Sequence, residues 1–189
     1  MSGGTIIVLA LLVFAGVTIF KGVRIVPQGY KWIVQRLGKY HTTLGPGLSF
    51  VIPYIDEVAY KVTTKDIVLD IPSQEVITRD NAVLLMNAVA YINITTPEKA
   101  VYGIENYTWA IQNLVQTSLR SIVGEMDLDD ALSSRDHIKA KLKAAISDDI
   151  SDWGITLKTV EIQDIQPSST MQAAMEAQAA AERQRRATV

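Results

Sequence analysis

The apolar positions along the chain change period four times. From Thr5 to Phe20 the sequence TIIVLALLVFAGVTIF is apolar on every face, with no period at all. An element of that kind is hydrophobic all round and faces either a core or a membrane. Lys31–Arg36 then alternates as a strand and ends at Leu37-Gly38-Lys39-Tyr40. Gly45–Asp56 follows, with Leu48, Phe50, Val51, Ile52 and Tyr54 set among Gly45-Pro46-Gly47 and Pro53. That stretch reads either as a core strand or as an apolar loop that meets something other than water. Lys65–Ile71 alternates cleanly, Pro72 stops it, and Gln74–Thr78 is a further short strand. Arg79-Asp80-Asn81 is a turn. Ala82–Ile94 is a long strand whose even positions are all apolar, so one face is buried and the other half wet.

Helical spacing takes over after Thr96, which stands where a cap belongs, with Pro97 at the first helical position and a stop at Gly103. Tyr107–Val123 carries Ile111, Leu114, Val115, Ser118 and Ile122 at three-four spacing and stops at Gly124. Leu128–Leu132 is a short helical turn. A further helix from Ser134 or Arg135 turns Ile138, Leu142, Ala145, Ile146 and Ile150 inward and ends near Trp153-Gly154. Ile155–Ile165 is a last strand, closed by Pro167. Strands, then helices, then a strand make an α+β class. From Ser168 the chain is rich in Ala, Gln, Glu and Arg and free of Gly and Pro, a strong helix former. Met171, Ala174, Gln178 and Ala181 form a thin seam on it. So little apolar area predicts packing against copies of itself, with an isolated solvated helix as the alternative.

The first regime is best read as a membrane anchor. Its uncharged stretch of about 20 residues makes a helix of about 30 Å, the hydrocarbon thickness of a bilayer. A cleaved signal peptide would open on basic residues and carry a small-residue cleavage site, and Met1-Ser-Gly-Gly provides neither. A core helix would be amphipathic. The anchoring side chains are Ile6, Ile7, Val8, Leu9, Leu11, Leu12, Val13, Phe14, Val17, Ile19 and Phe20. Residues 21–55 hold Lys21, Arg24, Lys31, Arg36 and Lys39 and no acid. Basic residues stay on the cytoplasmic side, which predicts the N-terminus outside and the domain in the cytoplasm. Such cations are also drawn to anionic lipid.

Composition narrows the chemistry. The 189 residues are 48% apolar and 20% charged with a net charge of -2, which gives no drive toward nucleic acid. Without cysteine there is no disulfide, thiolate metal site or thiol nucleophile, and two distant histidines do not make a metal site. Neither a nucleophile elbow nor a phosphate-binding glycine loop is present. Asp127 and Asp129 hint at a calcium loop, but its glycine and its late bidentate Glu are missing. Trp32, Trp109 and Trp153 read as core. Asp148, Asp149 and Asp152 end a helix where the dipole disfavours acids. They call for a cationic neighbour, from another subunit or from Lys141 or Lys143.

Several runs of residues in one order resemble the SPFH (stomatin, prohibitin, flotillin, HflK/HflC) or Band 7 family. They are Val26-Pro-Gln-Gly-Tyr30, Arg36-Leu-Gly-Lys-Tyr40, Leu44-x-Pro-Gly-Leu-x-Phe-x-Ile-Pro53 and Asp70-Ile-Pro-Ser-Gln-Glu75. Asp80-Asn81, Leu119-Arg120-Ser-Ile-Val-Gly124, Leu128–Leu132, Trp153-Gly154-Ile155, Val160-Glu-Ile-Gln-Asp164, Ala177-Gln178 and Ala181-Glu182-Arg183 continue the pattern. The likeness covers about residues 23 to 186 and is greatest to the bacterial and archaeal stomatin-like, QmcA-type branch. It implies a two-lobed SPFH domain of class α+β. The expected division is an anchor at 1–20, a membrane-apposed lobe at 21–78, a second lobe at 79–167 and, at 168–189, the start of a long coiled-coil helix whose remainder lies beyond the 189 residues. The absence of a proline-kinked hairpin and of a palmitoylatable cysteine favours a straight single-pass anchor in the inner (plasma) membrane.

The resemblance further implies a non-enzymatic scaffold without a cofactor, a homo-oligomer forming a ring or cage around a membrane microdomain. Its implied partners are membrane lipids, an NfeD-family protein and an AAA membrane protease. A membrane-tethered adaptor outside any ring and a membrane-tethered hydrolase are the alternatives. In the family the loop corresponding to Gly45–Pro53 dips into the leaflet, so Leu48, Phe50 and Val51 are expected to meet lipid, with Ile52 and Ile55 in the core. The expected subunit contacts are Asp148, Asp149, Asp152, Met171, Ala174, Gln178 and Ala181.

Overall fold

In a computed structural model, which describes residues 3–187, the chain runs as α1 (Gly3–Gly22), β1 (Val23–Val26), β2 (Tyr30–Arg36), β3 (Lys39–Leu44), β4 (Gly47–Phe50) and β5 (Asp56–Thr63). After these come β6 (Ile67–Ile77), β7 (Val83–Ile94), α2 (Pro97–Tyr102), α3 (Tyr107–Gly124), α4 (Leu128–Ser133), α5 (Arg135–Asp152), β8 (Ile155–Pro167) and α6 (Ser169–Ala187). The class is α+β, with an apolar helix in front and a helix at the end. The chain divides into two compact units. One holds the residues through Lys65 together with Ile94–Ile104, the other Asp66–Asn93 and Glu105 onward. The expected lobe boundary at residue 78 therefore moves to Lys65. The physical reason is that β6 pairs along its length with β7, from Ile67↔Ile92 to Ile77↔Val83.

The first unit is built on the antiparallel sheet β3-β2-β5 and the separate ribbon β1-β4. Ile33, Val34 and Val62 are its buried centre. β2 and β3 are joined by Leu37-Gly38, both at positive φ (49° and 81°), the two-residue turn whose twist matches a hairpin. Segment 94–104 returns to this unit through Tyr102 of α2. Its ring stands edge-on to Tyr40 and Tyr60 at 6.1 and 6.0 Å, and its hydroxyl accepts from Gln35 Nε2 at 2.8 Å. Thr96 lies before α2 without a capping side-chain bond.

The second unit lays α3 and α5 against the sheet β6-β7-β8. β7 buries Ala82, Leu84, Met86, Ala88, Ala90, Ile92 and Ile94 at or along the strand, the alternation read from its even positions. Pro72 does not end β6. It falls in a bulge between Ile71 and Gln74, on an outer strand, where a missing N–H is tolerated. α3 is capped by Asn106, whose side chain accepts from Trp109 N, and buries Ile111, Val115, Leu119, Ile122 and Val123. α5 buries Ile138, Leu142, Ile146 and Ile150 at a strict four-residue step, which leaves Ala145 outside. The flank of α5 beside that row carries Arg135, Lys139 and Lys143. Arg135 donates to the Gln163 carbonyl (3.4 Å), Lys139 pairs with Glu161, and Lys143 donates to the Lys158 carbonyl (2.9 Å). On the other outer strand, Gln112 of α3 donates to the Asp70 carbonyl at 2.8 Å. Helix side chains thus dress both outer strands of this sheet.

Candidate membrane-facing surface

No residue of the apolar window in α1 is buried by the rest of the chain, and Gly4–Gly22 is long and apolar enough to cross a membrane. All the expected anchor residues, from Ile6 to Phe20, are exposed on it. Thr18 satisfies its hydroxyl by donating to the Phe14 carbonyl at 2.8 Å, as a polar side chain in an apolar setting must.

The helix passes directly into β1, which pairs antiparallel with β4: Val23↔Phe50, Arg24↔Ser49, Ile25↔Leu48 and Val26↔Gly47. Paired residues share a face and alternate along the strand. Val23, Ile25, Leu48 and Phe50 therefore stand together on one face, and all four are exposed, Leu48 at 76% and Phe50 at 60%. The junction is tight. Val51 N donates to the Gly22 carbonyl at 2.8 Å, and a Cβ at Gly22 would lie 2.7 Å from both Phe50 Cζ and the Val51 carbonyl oxygen. Val51 itself is 5% exposed. Its expected lipid contact is corrected: alternation turns it from Phe50 into the unit. Ile52 and Ile55, expected in the core, are instead both 44% exposed. The apolar stretch is thus a short ribbon strand followed by a turn.

Asp56 organises that turn. It accepts from Arg36 through both carboxylate oxygens (2.7 and 3.0 Å) and from Ile52 N (2.9 Å). The Arg36 guanidinium first, and the Ile52 amide next, lower its pKa to about 2. Tyr54, at the tip, takes a φ of 72° that a non-glycine residue rarely adopts. It is largely exposed, and Lys21 Nζ lies 5.8 Å from its ring centroid. Three adjoining cavities open beside the end of α1, of about 470, 380 and 330 Å³, and Arg24 lines every one. Reasoning from the sequence missed this cleft because it missed β1, β3 and β5. The signal available was the matched pair of alternations, Val23/Ile25 and Leu48/Phe50.

Elsewhere the expected site residues lie apart. Asp148, Asp149 and Asp152 are exposed at the end of α5, and none forms an ion pair among the described residues. Lys143 is engaged with the Lys158 carbonyl and Lys141 pairs with Glu125 at 3.8 Å, so neither answers those acids. On α6, Met171 is half-buried and Ala174, Gln178 and Ala181 are exposed. Trp109, read as core, is 64% exposed, while Trp32 and Trp153 are half-buried. Asp127 pairs with Arg79, and among the described residues no group of three or more His, Cys, Asp or Glu is placed to hold a metal ion.

The profile of the SPFH domain / Band 7 family matches residues 24–189. A protein of Mycobacterium tuberculosis is 37% identical over 98% of this chain and 49% of its own length. A stomatin homolog of Pyrococcus abyssi is 41% identical over 98% of this chain and 67% of its own. Human mitochondrial stomatin-like protein 2 is 38% identical over 87% of this chain and 46% of its own. The chain thus spans about half the length of the mycobacterial and human relatives.

Proposed function

This chain belongs to the SPFH domain / Band 7 family and is stomatin-like, and from that premise we propose that it is a single-pass, membrane-anchored, non-enzymatic scaffold. In this reading it homo-oligomerises into a ring or cage, encloses a membrane microdomain and regulates membrane proteins such as an AAA protease or an NfeD-type partner. The observation that carries the membrane part is the continuity of exposed apolar surface from α1 onto one face of the β1–β4 ribbon. Exposed apolar patches of this kind belong to interaction surfaces, and a lipid leaflet is the surface an apolar helix leads to. In this reading Leu48 and Phe50 enter the leaflet, and the basic segment 21–55 keeps the domain on the cytoplasmic side.

Two features support self-assembly. Among the described residues, Ala174, Gln178 and Ala181 of the α6 seam are exposed, and Asp148, Asp149 and Asp152 at the acidic end of α5 form no ion pair. A second copy supplies both an apolar seam and arginines such as Arg183 and Arg185. Mass photometry of the detergent-purified chain tests the reading. A discrete assembly of about a dozen subunits or more is expected, whereas a monomer or dimer leaves the tethered adaptor as the better account.

A further inference from the structure

We propose that the cleft beside the end of α1 is a binding site for the phosphate of an anionic phospholipid headgroup, with Arg24 as its principal ligand. The inference rests on the membrane reading above and adds a specific site to it.

Three cavities adjoin at this cleft. The largest, about 470 Å³, is lined by Phe20, Lys21, Val23, Arg24, Pro53 and Tyr54, among others. That is the size range of small-molecule sites, mostly apolar with a few polar groups. The cavity of about 380 Å³ joins Arg24 to Phe20, Val23, Ile25 and Trp32. The apolar walls come from the surface assigned to the leaflet, and the cations lie at the end of the helix that spans it. Headgroups sit at that level.

The polar groups have the right character. Arg24 makes no hydrogen bond or ion pair among the described residues, so its fork of donors is free for a phosphate. Among the described residues the Trp32 indole N–H likewise has no protein acceptor, and Lys61 Nζ lies 4.6 Å from the ring centroid. Two carboxylates stand nearby. Asp56 is already neutralised by the two bonds from Arg36. Glu57 is exposed and lines only the cavity of about 330 Å³, together with Arg24 and Lys61. The largest cavity, with Lys21 and Arg24 against a paired Asp56, is net cationic. Diffuse attraction would spread over all the basic residues of segment 21–55. A built site concentrates on Arg24.

The test uses the full chain in uncharged detergent micelles doped with equal phosphatidylglycerol and phosphatidylcholine, with retained lipids counted by native mass spectrometry. The chain should retain phosphatidylglycerol over phosphatidylcholine by about fivefold, the effect of one cation at a lipid surface. Arg24→Gln should bring the ratio near one, Arg24→Lys should restore part of it, and Lys39→Gln should leave it unchanged. Equal loss in Arg24→Gln and Lys39→Gln, or no loss in Arg24→Gln, overturns the site. Displacement of the lipid by glycerol phosphate would assign the cleft to a soluble phosphate and overturn the lipid. Failure of the membrane reading looks different, because wild type would then retain neither lipid.

Discussion

Replacing Leu48 and Phe50 by serine separates a lipid-facing ribbon from a core strand. Full transfer of a Leu or Phe side chain out of water is worth about 1.5–3 kcal/mol. Weighted by their exposures of 76% and 60%, the two together contribute about 2–4 kcal/mol to membrane partition, or about 30- to 1000-fold. Little of that is folding free energy, because neither side chain is buried within the chain. The assay is flotation with anionic liposomes of a variant lacking residues 2–20, so that α1 does not mask the ribbon. Its fold is checked by circular dichroism and thermal melting. Leu48→Ser/Phe50→Ser should lose flotation while melting within a few degrees of its parent. Val51→Ser is the counterpart. Val51 is 5% exposed, and its loss from the interior should cost about 2 kcal/mol, lowering Tm by about 4–8 °C. The reasoning is refuted if the double variant unfolds, or if it floats like its parent.

Acid should loosen the turn at 51–56 selectively. Asp56 has a folded pKa of about 2 against an ordinary value of 3.8, so the unfolded state binds protons first and stability falls with pH. The contribution is complete above about pH 4 and is lost between about pH 4 and 2. Hydrogen exchange at the Ile52 amide, corrected for its intrinsic rate, should accelerate across that window in wild type. Asp56→Asn should show no such step. Along α5, Arg135→Ala/Lys139→Ala/Lys143→Ala removes one exposed ion pair and two carbonyl contacts. It should lower Tm by only about 2–4 °C, corresponding to about 1 kcal/mol, while light scattering shows new self-association through the outer strand β8. A fall beyond about 10 °C, or no added association, would contradict the assigned role.

Periodicity was informative where a protein core set the pattern and misleading where it did not. β7 was legible because its even positions are all buried. α1 was legible because an element apolar on every face suits only a core or a membrane, and its length matches a bilayer. Pro72 split β6 in the sequence reading, since nothing local tells a bulge on an outer strand from a strand end. The Gly45–Pro53 stretch resisted for a different reason. Apolar character alone does not say which side chains of a ribbon face outward, so Leu48, Phe50 and Val51 were grouped together although only Val51 is buried. β5 escaped because its pattern is set by partial burial on both faces. The cleft around Arg24 needed the pairing of β1 with β4 across more than 20 residues of chain, which no local window contains.

The crowding at Gly22 has a mechanical consequence. A larger residue there would push against main-chain oxygen as well as the Phe50 ring, so the helix and the ribbon meet without slack. The Gly22–Val51 hydrogen bond fastens the same point. A bilayer thinner than the roughly 30 Å length of α1 obliges such a helix to tilt. With a stiff joint the tilt is not absorbed at the end of the helix. It rotates the ribbon and its four apolar side chains with it, so under the proposed membrane reading bilayer thickness becomes an input to how this face would meet the leaflet.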